Sequence, residues 1–251
     1  MLSMTGSKRA SIIIIGDEIL SGRTQDTNVQ TIATMLVPKG IAICEVRVIP
    51  DVIDTIVTTV NTLRASHDYV FTTGGIGPTH DDKTAEAVAA AFGVKLERHP
   101  EAWRILAAHY GDESALTPAR AKMADIPVGA SLIHNPVSSA PGFRIENVFV
   151  MAGVPKIMQG MLEFVVPQLE GGDVIHARSV TAELPESVLA DGIAAIEKTY
   201  AGISVGSYPK FTPGMKPSTA IVLRGHDVGM VEAAQKEVAS LMERLGGVPR
   251  L

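Results

Sequence analysis

Tyr69 to Phe92 reads YVFTT-GGIGPTHDD-KTAEAVAAAF. The first five residues are apolar, β-branched or aromatic and stop at glycine, the pattern of a buried strand. Lys83 to Phe92 is alanine-rich and predicts a helix. Between them, Gly74, Gly75 and Gly77 let backbone N–H groups turn toward a ligand with no Cβ in the way. The helix start adds unpaired N–H groups and a partial positive charge. Strand, glycine turn and helix N-terminus together predict an anion site, ordinarily one for phosphate. This is not the dinucleotide fingerprint, since His80 stands where the third glycine belongs, nor a P-loop, since no Gly-Lys-Ser/Thr follows. Asp81 and Asp82 are unusual beside an anion. Two carboxylates next to a phosphate call for a divalent cation between them. The competing reading is that one aspartate caps the helix and the glycines only turn the chain.

Upstream, Ala10 to Ile15 is an unbroken aliphatic run, suited to a central parallel strand buried on both faces. It ends in a polar, glycine-bracketed stretch, Gly16 to Asn28, which predicts a functional loop. A helix follows on Val29, Ile32, Ala33 and Leu36, stopped by Pro38 and Gly40. Ile41 to Ile49 is a second strand. Pro50-Asp51 leads into a helix carrying Ile53, Ile56, Val57, Val60 and Leu63. Strand and helix alternating in this way predict right-handed βαβ units, a parallel sheet and helices on both faces. Downstream, helices are expected over Pro100–Tyr110 and from Thr117 to about Ala124. Strands are expected at Ser131–His134 and Asn147–Met151, and a helix from Pro155 to about Leu169.

Glu170-Gly171-Gly172-Asp173 is polar and flexible and marks the expected boundary between a domain over 8–170 and a smaller one over 174–248. The smaller one reads β-α-β-β-α and resembles a KH-type α+β domain. It lacks the Gly-x-x-Gly loop that clamps a nucleic-acid backbone.

The 251 residues are 46% hydrophobic and carry a net charge of −5 with no long run of either sign, which argues against a nucleic-acid partner. No apolar run approaches the roughly 20 residues of a membrane span, and the segment after Arg9 is too short for a signal peptide. A cytoplasmic protein is expected. The single cysteine, Cys44, excludes an intramolecular disulfide and reads as a small core residue.

Three strand ends deliver polar groups: Asp17, Glu18, Ser21, Arg23, Asp26 and Asn28 from the first, Asp51 from the second, and Thr73 to Asp82 from the third. Strand C-termini of an open parallel sheet share one edge, and ligands bind in the crevice there. Thr73, Gly74, Gly75, Gly77 and Thr79 are the candidate phosphate cradle. Asp17, Glu18, Asp81 and Asp82 are candidate metal or water ligands. Lys83 and Arg23 are candidate phosphate partners, a solvated surface charge being the alternative for each. Asp17, Asp26 and Asp51 have helix capping as their alternative, for Asp51 an equal one. Asn135, Ser138 and Ser139 line the far end of a ligand or make turns. No His or Cys spacing suggests zinc.

GDEILSGRTQDTN, TTGGIGPTHDD, IHNPVSSAPGF and VFVMAGVPKIM, in that order, resemble the molybdopterin-binding (MoaB/Mog-like) domain family. The version meant is the one found in competence/damage-inducible (CinA) proteins and in the N-terminal half of eukaryotic FAD synthases. The likeness covers about Ala10 to Leu169. It implies a three-layer α/β/α sandwich with a mostly parallel sheet and a homo-oligomer. Matches to the deamidase and synthase domains of those proteins are missing, so nicotinamide-nucleotide deamidation and FAD synthesis are not implied. The family divides over activity. Mog-type members adenylylate molybdopterin, and their two important aspartates match Asp51 and Asp82. CinA-type members resemble metal-dependent pyrophosphatases acting on ADP-ribose, and the FAD synthase version hydrolyses FAD. The expectation is therefore an enzyme that uses Mg²⁺, Mn²⁺ or Co²⁺ to hydrolyse such a dinucleotide, with Asp51, Asp81 and Asp82 as catalytic residues. A pterin-binding or adenylylating protein, or a nucleotide-binding module without catalysis, are the alternatives.

Overall fold

The computed structural model describes residues 8–214 and 216–251, which divide into two compact units, Lys8–Gly172 and Asp173–Leu251. In chain order the first holds β1 (Lys8–Ile15), α1 (Asp17–Leu20), α2 (Asn28–Leu36), β2 (Ile41–Ile49), α3 (Ile53–Arg64), β3 (Tyr69–Thr73) and α4 (Thr84–Phe92). It continues with β4 (Leu96–Arg98), α5 (Pro100–Tyr110), α6 (Pro118–Lys122), β5 (Asp125–Pro127), β6 (Ser131–Ile133), β7 (Gly142–Ile145), β8 (Val148–Met151) and α7 (Pro155–Val165).

The main sheet runs β2-β1-β3-β8-β7-β6. β2, β1, β3 and β8 are parallel, while β7 and β6 return antiparallel. The run of isoleucines in β1 explains its central place, because every second residue faces a different helical layer. Ile13 and Ile15 join Val70, Val148 and Val150 against α3, α4 and α5. Ile12 and Ile14 join Phe71, Phe149 and Met151 against α2 and α7. Full burial of each such side chain contributes about 1.5–3 kcal/mol, so both layers are held to the sheet. The result is a three-layer α/β/α sandwich with a mixed, mostly parallel sheet.

Three sequence expectations need correction. Cys44 is exposed and not part of the core. β2 is the outer strand, and its register with β1 jumps from Ala10–Ile43 to Ser11–Glu45, leaving Cys44 as the extra residue of a bulge. The stretch after Gly16 is not all loop, since α1 begins at Asp17. A two-stranded ladder of β4 and β5 was not foreseen, nor was β7. Each is only three or four residues long, too short to show a period.

The second unit contains β9 (His176–Ala182), α8 (Glu186–Thr199), β10 (Ser204–Lys210), β11 (Ser218–Gly225) and α9 (Val228–Arg244). Its antiparallel sheet runs β10-β11-β9. Val180, Ile221 and Leu223 from the sheet pack with Leu189, Ile196, Val231, Ala234 and Val238 from the helices. This is the β-α-β-β-α order that the sequence suggests.

Candidate active site

Parallel strands bring their C-terminal ends to one edge of the sheet. The loops after β1, β2, β3 and β8 all open there. Asp51, just past β2, decides how they meet. Its Oδ2 accepts a hydrogen bond from the Asp17 backbone N–H at 3.1 Å. Its Oδ1 lies 3.3 Å from where a Cβ on Gly75 would stand. One carboxylate thus joins the end of β1 to the glycine loop after β3. It does not cap its own helix, because α3 has Val52 at the N-cap and no side-chain cap bond. Asp26, one residue ahead of the N-cap Thr27 of α2, accepts from the Val29 N–H in the first turn at 3.0 Å.

Burial is the largest influence on the Asp51 carboxyl and pushes its pKa up. The bond from Asp17 N–H works the other way, and the charges of Asp17, Glu18 and Asp81 add to the rise. Four carboxylates therefore share one region. Glu18 folds its carboxylate back over Gly16, to 2.6 Å from where a Cβ there would stand.

The glycine loop is built by close approach. Gly74 and Gly75 have φ of 107° and 67°, conformations that favour glycine. A Cβ on Gly74 would sit 2.1 Å from the Ile15 carbonyl oxygen, and one on Gly75 would sit 2.2 Å from Thr84 Oγ1. Thr84, the first residue of α4, donates its hydroxyl to the Gly74 carbonyl (2.9 Å) and its N–H to the Gly75 carbonyl (3.0 Å). The loop's carbonyls are thus tied to the helix.

Asp82 closes the loop from the other side. Its Oδ2 accepts from the Thr79 N–H at 2.8 Å and also from the Thr79 hydroxyl, and the carboxylate lies over Gly77. Asp81 is exposed, and hydrogen bonding from Thr79 and then from its own backbone holds its carboxyl below the usual range. Lys122, at the end of α6, donates to the Thr79 carbonyl (2.7 Å) and the Asp82 carbonyl (2.6 Å). Sequence reading missed it. No motif surrounds it, and only the fold carries it from 40 residues away to this loop.

A cavity of about 490 Å³ opens against the loop. Glu18, Gly74, Gly75, Gly77, Asp82, Asn135 and Ser138, all candidates from sequence, contribute to its wall, as do Thr24 and the turn from Ala152 to Pro155. Asn135 also builds its own loop: Nδ2 donates to Ser138 Oγ and the Ala140 carbonyl, both at 2.7 Å, and Oδ1 accepts from the Val137 and Ser138 N–H groups. Asn28 and Thr73 line a smaller adjoining cavity of about 50 Å³ that includes Glu18. Asn28 Nδ2 is bonded to the Gly153 carbonyl at 2.8 Å, but Asn28 Oδ1 and Thr73 Oγ1 are buried without a partner. Arg23 and Lys83 are not on the walls of these cavities. Lys83 is the N-cap of α4, and Lys122 is the cation at the loop.

Among the described residues, no three His, Cys, Asp or Glu side chains are grouped so as to cage a metal ion by themselves. Magnesium-type sites commonly use one or two carboxylates and complete their shell with water and substrate phosphates. The mutual repulsion at Asp51 is what a cation would relieve. The described residues thus offer a cation individual carboxylates such as Asp51 and Asp82 and no preformed cage.

The chain belongs to the molybdopterin-binding-domain family, as its match to that family's model shows. Residues 11–171 match the family described as "Probable molybdopterin binding domain", and residues 174–248 match "FAD synthase, middle domain". Within the family the first unit is of the CinA type. It is 36% identical over 214 residues to a CinA-like protein of Desulfosudis oleivorans, covering 80% of this chain and 52% of that one. It is 33% identical over 246 residues to the protein Ta0487 of Thermoplasma acidophilum, covering 95% of both. The crystal structure of a CinA protein of unknown function from Thermoplasma acidophilum superposes with a TM-score of 0.61 at 36% identity, over 64% of this chain and 98% of the other. No helix among the described residues is long and apolar enough to cross a membrane.

Proposed function

We propose that this protein binds a dinucleotide such as ADP-ribose or FAD and hydrolyses its pyrophosphate with the help of Mg²⁺, Mn²⁺ or Co²⁺. The observation that carries this reading is Asp51, half-buried among three other carboxylates and facing the glycine loop. The N-terminus of α4 and the Gly74–Gly77 loop present the positive ends of peptide dipoles to the diphosphate oxygens. A bound divalent cation would offset the remaining charge on those oxygens. Asp82, lining the cavity and fixed by Thr79, would hold that cation against the phosphate group that is attacked. Asp51 Oδ1 takes a proton from the attacking water, Oδ2 being held by the Asp17 N–H. The water oxygen bonds to phosphorus, the P–O–P bridge breaks, and the bridging oxygen leaves with the electron pair on the second phosphate. ADP-ribose would give AMP and ribose 5-phosphate, and FAD would give AMP and FMN.

The test is to incubate the protein with ADP-ribose or FAD and each cation and to follow AMP. Asp82→Ala is expected to lower the rate about 10²-fold or more. Tight pterin binding without AMP would replace this reading with one in cofactor biosynthesis. Nucleotide binding with no turnover under any cation would leave a binding module.

A further inference from the structure

A second lobe of about 130 Å³ lies on the other side of the glycine loop. It shares Gly75, Ile76, Gly77, Asp82 and Met123 with the large cavity, so the loop forms a partition with room on both flanks. Ile76, Leu96, Met123, Ile126 and Phe143 give it apolar walls, with Phe143 only 1% exposed. Two carboxylates, Glu86 and Asp125, complete the wall. They repel phosphate and can accept hydrogen bonds from an amine. Asp125 Oδ1 is occupied by Arg98 Nε at 2.6 Å, which fixes the carboxylate and leaves Oδ2 to accept. The one lysine in the lobe, Lys122, is engaged with the Thr79 and Asp82 carbonyls.

We infer that this lobe is the base subsite: it takes the amine-bearing purine of an adenine nucleotide, while the diphosphate lies on the glycine loop and the other half of the ligand occupies the large cavity. The inference rests on the dinucleotide reading above and adds an orientation and a base preference to it. An adenine-type base offers an exocyclic amine to the lobe's carboxylates, and hypoxanthine, with an oxygen at that place, does not.

The experiment is equilibrium binding of AMP, IMP, ribose 5-phosphate and ADP-ribose by calorimetry in EDTA, where turnover is suppressed. The wild type is expected to prefer AMP over IMP by about tenfold, the worth of one hydrogen bond left unmade in a buried site. Ala85→Phe fills the lobe from the half-buried first turn of α4, and is expected to weaken AMP and ADP-ribose about tenfold or more while ribose 5-phosphate is unchanged. Asp125→Asn keeps an acceptor for Arg98 but turns the free oxygen into a donor, and is expected to remove or reverse the AMP preference. A folded Ala85→Phe that binds ADP-ribose like the wild type, or an AMP/IMP ratio that Asp125→Asn leaves unmoved, overturns the base subsite and leaves the dinucleotide reading standing. A wild type that binds none of these ligands in EDTA, and neither AMP nor ribose 5-phosphate once Mg²⁺ is restored, overturns both.

Discussion

Asp51 is held by a backbone N–H, yet surrounded by other acids. Its carboxyl is pushed above its ordinary value of 3.8, chiefly by burial. A carboxyl with a higher pKa folded than unfolded binds more protons in the folded state, so ionising it works against the fold. That penalty is absent below the unfolded value and sets in as pH rises through the folded one. Asp51→Asn removes the charge and keeps an oxygen to accept from Asp17. In EDTA at pH 7 its urea midpoint should lie above that of the wild type, and the difference should vanish below about pH 4. A variant less stable than the wild type at pH 7 would contradict the charge crowding. The sequence left Asp51 evenly divided between cap and site. Asp51 follows a proline and precedes a helix, which is what a cap looks like, and only the side-chain direction separates the two.

At the scale of elements, the strand–loop–helix from Tyr69 to Phe92 was legible because glycine, aliphatic strand and alanine-rich helix each have a strong local signature. Lys122 was not, because long-range packing places it and no local pattern marks it. Thr84 shows how the loop is anchored. Replacing it with valine keeps the volume but leaves the buried Gly74 carbonyl without its hydroxyl partner. The expected loss is about 1–3 kcal/mol in urea denaturation. A change within a few tenths of a kcal/mol would mean that the loop is held in some other way. The small β4–β5 ladder is a related case. Leu96–Arg98 and Asp125–Pro127 carry no period of their own, yet they supply Leu96, Asp125 and Ile126 to the second lobe.

At the scale of the whole molecule, each unit has its own core: Ile13, Val60, Leu106 and their neighbours with the Phe71 and Phe149 cluster in the first, Val180, Leu189, Ile221 and Val231 in the second. The residues assigned to the site lie entirely within the first. A fragment of residues 8–172 is therefore expected to unfold in one cooperative thermal transition and to bind the same nucleotides as the whole chain. A fragment without a transition would show that the first unit depends on the second.

The central claim is that acidic side chains from separate strand ends and a diphosphate hold one cation between them. Mn²⁺ binding followed by electron paramagnetic resonance measures this directly, with and without ADP-ribose. The prediction is weak binding to the protein alone, tightening about tenfold or more when ADP-ribose is present, with the tightening lost in both Asp51→Asn and Asp82→Ala. Mn²⁺ affinity that ADP-ribose does not change, or that survives both substitutions, would contradict it.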